Sequence, residues 1–155
     1  MALKPDRIES HTDISFFMNE VATRGVVVVH DPATSGLGAS MDDADNVVKL
    51  PDVTGGSGEK PAGVLLTDVV NLDLTRQHLN AHKNEVQIGG KVCLLKQGQV
   101  TTDDILSGDA PVPGDDAYFT IDGDFSTTST NSTKIGSFLS SPDADGYCKV
   151  EINIT

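Results

Sequence analysis

Cys148, Val150, Ile152 and Ile154 alternate with Tyr147, Lys149, Glu151 and Asn153. Eight residues of strict alternation predict a strand with one face in the core and one in water. Gly25 to His30 reads differently, because Val26-Val27-Val28-Val29 has no polar face. Four β-branched residues in a row predict a strand buried on both sides. Ala62–Thr75 predicts one or two strands, Thr75–Glu85 a short helical turn, and Val86–Ile88 and Lys91–Leu95 strands around Gly89-Gly90, while Ile135–Leu139 is a further apolar run. Tyr118–Ile121 and Asp124–Thr127 flank Asp122-Gly123, the dipeptide of a hairpin turn.

Two regions lack this pattern. Residues 1–23 are polar except for Ile14, Phe16, Phe17, Met18 and Val21. Three large apolar side chains in succession fit neither a helical nor a strand period, so an extended arm and a short helix capped by Thr12 or Asp13 are both expected. Residues 31–61 are rich in Gly, Ser, Asp and Pro, broken by Val47-Val48-Lys49-Leu50. They predict a long surface excursion with one short strand. The expected fold is mainly β: an antiparallel β-sandwich or small β-barrel with long loops and an N-terminal arm. A single β-rich domain is expected over 24–155, preceded by the arm or helix at 1–23.

Charge narrows the partners. The 155 residues carry 11 Lys and Arg against 23 Asp and Glu, a net charge of −12. Such a surface repels phosphate backbones and anionic lipid, which argues against direct nucleic-acid or membrane binding. The N-terminal sequence lacks an apolar core of signal-peptide length, so synthesis in a cytoplasm is expected. Cys93 and Cys148 sit in apolar runs without a CxxC spacing, which favours buried free thiols while leaving a disulfide open.

Candidate chemistry is sparse. His78 and His82 stand at i, i+4 with Glu85 nearby, the spacing that puts two imidazoles on one helical face. Zinc peptidases place Glu directly after the first His, where this chain has Leu79. Gly55-Gly56-Ser57-Gly58-Glu59-Lys60 lacks the spacing and the following helix of a phosphate loop. The acidic pairs Asp103-Asp104 and Asp115-Asp116 read as solvated turn residues. Asp143-Ala144-Asp145-Gly146 resembles the start of a calcium loop, but its twelfth position is Ile154, not Glu. It reads better as a turn with Gly146 at positive φ. These features assign no catalytic residue, no cofactor and no metal.

Three stretches together resemble the tailed-bacteriophage head decoration, or cement, proteins. They are PAGVLLTDVVNLDLT at 61–75, VQIGGKVCLLKQGQVTTDDI at 86–105 followed by Pro113-Gly114-Asp115-Asp116-Ala117-Tyr118, and KIGSFLSSPDADGYCKVEINI at 134–154. The resemblance implies a structural virion protein on the outer capsid surface. It would bind the major capsid protein, bridge neighbouring capsomers, stabilise the expanded shell and self-associate as a homotrimer. It implies no enzyme activity. Ile14, Phe16, Phe17 and Met18 are the expected capsid or subunit contact, because they cluster in a polar segment. The alternatives are another virion β-domain, such as a tail-tube or fibre subunit, and a metal-dependent enzyme using His78 and His82.

Overall fold

A computed structural model describes residues 3–32, 47–52, 58–67, 91–129 and 132–154. Among them are nine strands and no helix: β1 (Ile8–Met18), β2 (Val27–His30), β3 (Val47–Lys49), β4 (Pro61–Leu65), β5 (Lys91–Thr102), β6 (Asp116–Phe119), β7 (Phe125–Ser126), β8 (Gly136–Phe138) and β9 (Cys148–Asn153). The protein is mainly β, as the pattern of apolar runs predicts.

β5 organises the architecture. At 12 residues it is long enough to serve two structures in succession. Its first half pairs with β4, Leu94 opposite Leu65 and Leu95 opposite Val64. Its second half pairs on the same edge with β9, from Gln97 opposite Asn153 to Thr102 opposite Cys148. β1 runs antiparallel along the other edge, from Ile8 opposite Gln99 to Phe17 opposite Lys91. β1 also pairs in parallel with β3, which pairs with β2, which pairs with β4. The ring β1–β3–β2–β4–β5 is therefore closed, and closure leaves its paired segments without an edge. The sheet continues from β5 through β9, β8 and β6 to β7 and stays open. It is mixed rather than purely antiparallel, because β1 and β3 run in the same direction.

Two cores follow from this layout. One gathers side chains from all five ring strands, among them Phe16, Met18, Val28, Val48, Leu65 and Leu94, and fills the ring interior. The other holds Val27, Val29, Val64 and Leu95 with Phe119, Phe125, Phe138, Val150 and Ile152. It lies between the outer wall of the ring and strands β6–β9. β2 contributes to both, with Val27, Val28 and Val29 all at 0% exposure. That explains its unbroken run of valines. β9 contributes to one core only and keeps its alternation, Cys148, Val150 and Ile152 inward, Glu151 and Asn153 outward.

Residues 1–23, expected as an arm or short helix, instead carry a strand of the ring. Phe16 and Met18 point into the interior. Phe17 points to the opposite side, is also fully buried, and has the Lys91 ammonium 5.4 Å from its ring centre. Both faces of this end are covered, so three apolar residues occur in succession without a period. Upstream the register slips between Glu9 and His11, between His11 and Thr12, and between Asp13 and Phe16. Gly98 makes the close pairing possible: its φ is +153°, and a Cβ there would lie 2.0 Å from the Ile8 carbonyl oxygen.

The predicted Asp-Gly hairpin is present between β6 and β7, with Phe119 opposite Phe125. Its loop spans Thr120–Asp124, and Thr120 N–H donates to the Asp124 carbonyl at 2.9 Å. Gly123 lies against β2, where its carbonyl accepts from Val27 N–H at 2.8 Å and fastens the open sheet to the ring. Both cysteines are free thiols, Cys148 buried and Cys93 partly so. Burial raises the pKa of each.

Candidate functional site

Of the four expected contact residues, Phe16, Phe17 and Met18 are buried within the chain, and Ile14 is 66% exposed. The exposure of Ile14 has a local cause. Asp13 Oδ1 accepts from Ser15 N–H at 2.8 Å and from Ser15 Oγ–H at 2.5 Å, closing a short turn in the register slip before Phe16. Those hydrogen bonds hold the Asp13 carboxyl below the usual carboxylate range, with the Lys96 ammonium 3.7 Å away. A bulge of this kind redirects a side chain, and here it turns Ile14 to solvent. His78, His82, Glu85 and most of the glycine-rich loop lie outside the described residues.

The Asp143 motif is a turn. Asp143 Oδ1 accepts from the N–H groups of Asp145 and Tyr147, each at 2.9 Å. Its Oδ2 accepts from the Lys4 ammonium at 3.1 Å. The Tyr147 hydrogen bond, then Lys4, hold this carboxyl below its ordinary pKa. Gly146 takes φ +86°, as expected. Both carboxylate oxygens are engaged by the protein itself. Among the described residues no cluster of three or more His, Cys, Asp or Glu could hold a metal.

The acidic pair Asp103-Asp104 departs from expectation. Asp104 is half-buried, and its Oδ2 has no hydrogen-bond partner. Burial, with the charges of Asp124 and Asp103, pushes its pKa up to about 6. Burial and Asp122 raise Asp124 as well. The cause lies far along the chain. Ile105 bridges to Phe125, and Phe125 N–H donates to the Asp104 carbonyl at 2.9 Å, drawing the acid under the β6–β7 hairpin. Local sequence carries no signal of that contact.

Sequence reading also missed a groove. Ile8, Gln99, Glu151 and Ser137 stand in one cross-strand row over β1, β5, β9 and β8. Gln97 and Asn153 face each other in the next row. Their neighbours Val100, Val150 and Ile152 face the core, so these side chains face water. With Ser10 and Lys134 they line a groove of about 570 Å³. Residues distant in sequence build it, so no local motif announces it.

Fold and surface together define a scaffold built for contact. Its two-core β body holds a groove lined mostly by uncharged, hydrogen-bonding side chains, and the most exposed isoleucine among the described residues is turned out by a bulge. Compared with protein-family models, residues 9–153 match the phage structural cement protein (E217 gp24/Pam3 gp6). The chain belongs to that family, and it is a structural, capsid-stabilising virion protein. The family is a structural one, which points to a non-enzymatic role. No curated protein matches the sequence.

Proposed function

We propose that this chain binds the outer surface of a phage head and stabilises the expanded shell by bridging neighbouring capsomers. The observation that carries this reading is the cement-family match over residues 9–153. The partner is the major capsid protein, and the chain is made in the host cytoplasm and self-associates as a homotrimer. Ile14 supplies a contact side chain, supported by its exposure on a body whose other large apolar groups are mostly buried.

The physics is that of many modest contacts. A specific protein interface typically buries about 1,200–2,000 Å². Repetition over a closed shell makes weak individual contacts collectively strong. A surface complete only after expansion stabilises that state through differential affinity. Sedimentation with expanded and with unexpanded heads, alongside mass in solution, tests the reading. Co-sedimentation with expanded heads only and a threefold mass are expected. Equal binding to both heads removes the expansion-selective role, and a monomer mass removes the trimer.

A further inference from the structure

Charge is distributed unevenly over this chain. From Asp103 to Asp124 the sequence holds seven aspartates and no Lys or Arg. The groove over β1, β5, β9 and β8 holds less charge: its lining has one acid, Glu151, and one base, Lys134, beside the half-exposed Ile8 and the uncharged Ser10, Gln97, Gln99, Ser137 and Asn153. Lys134 is itself paired with Asp116 at 2.7 Å. At the margins Lys149 lies 3.7 Å from Asp6, and Arg7 pairs with Glu9.

Resting on the cement reading, we propose that this groove is the face laid against the capsid, and that it receives a protruding, uncharged polar segment of the shell's outer surface. Contact requires dehydration. An aspartate stripped of water without a partner is costly, whereas amides and hydroxyls exchange water for hydrogen bonds of the same kind. Interface centres are accordingly poor in Lys, Glu and Asp. On a chain of net charge −12, the groove, lined mostly by amides and hydroxyls, is dehydrated at lower cost than the Asp103–Asp124 region with its seven aspartates. The lining holds no aromatic side chain, so a sugar or base finds no stacking platform there. A second copy docked groove to groove would set its Glu151 against this one, which favours the shell as occupant; the proposed trimer would form through another face.

The test uses phage heads lacking this protein, the full chain and two groove variants, Gln97→Glu/Gln99→Glu and the neutral truncation Gln97→Ala/Gln99→Ala. Asp122→Asn, exposed in the acidic region, is the control. Charge placed without a partner in a dehydrated contact is expected to weaken co-sedimentation by about tenfold or more, and the alanine pair by less. Melting temperatures and solution mass should stay at wild-type values, and Asp122→Asn should bind normally. Should the glutamate pair fail to fold, the alanine pair decides. Wild-type binding by the folded groove variants overturns the proposal, as does a changed solution mass in place of changed head binding. If the unaltered chain itself fails to bind heads, the cement reading falls rather than the choice of face.

Discussion

The closed ring and the open end of the sheet hold themselves together by different means. The centre of the ring is packed from both sides, and Val27, Val28, Leu65, Leu94 and Leu95 are fully buried. Strands β6, β7 and β8 are only 4, 2 and 3 residues long. Around them side chains do the joining. Asp109 Oδ2 accepts from Ser126 Oγ–H and Thr127 N–H at 2.8 Å and from Thr127 Oγ1–H at 3.3 Å. Ring closure adds to apolar burial in the first region, whereas the second adds individually satisfied polar groups to its buried Phe119, Phe125 and Phe138. Its exceptions are Asp104, half-buried without a partner at Oδ2, and Thr120, without one at Oγ1.

This contrast can be broken at several points. Deleting residues 1–23 removes β1 and opens the ring, so cooperative unfolding should be lost altogether. A truncated chain that still melts cooperatively would show that β1 is a separable arm. Next in size, Phe17→Ala should cost about 3–5 kcal/mol in denaturant unfolding, because both faces of that strand end are covered. At the open end, Asp109→Ala should cost about 1–3 kcal/mol by leaving Ser126 and Thr127 donors without their acceptor.

Asp104→Asn should act in the opposite direction. The folded-state pKa of Asp104, about 6, lies above the ordinary value of 3.8. The folded protein therefore holds this proton more tightly, and its ionisation works against folding. Asparagine should add about 1 kcal/mol at pH 7, a figure discounted for partial exposure. As pH falls through 6 towards 3.8 the wild type should regain stability and the difference should shrink. A difference that is flat with pH would mean Asp104 is solvated. Smallest in stability is Ile14→Ser, expected within about 0.5 kcal/mol of wild type, with weaker head binding as its visible effect.

How much of this was legible depended on how many faces each segment buries, and against what. β9 buries one face against a continuous core, so its alternation reads directly from Cys148 to Ile154. β2 buries both, and its run of valines announces that. The Phe16–Met18 end of β1 also buries both faces, but bulged, polar residues precede it and hid the strand. Asp104 reads as an ordinary turn acid because Phe125, whose N–H bonds its carbonyl, lies on a hairpin formed later in the chain. The groove depends on Ser10, Gln99, Ser137 and Asn153, which meet only after four strands have registered. Ile14 stood out as an apolar residue among polar ones, but the turn that exposes it rests on the ordinary-looking pair Asp13 and Ser15.

The pairing of β1 with β5 also sets an order of events during synthesis. The segment made first finds its main partner in residues 91–102, and its parallel neighbour in residues 47–48. Contacts so distant in sequence carry a high loop-closure cost and slow the folding of β proteins. Until β5 leaves the ribosome, Phe16, Phe17 and Met18 have no ring to enter and are open to contact with neighbouring nascent chains. The acidic charge of the chain would then act first as protection for the unfinished copy.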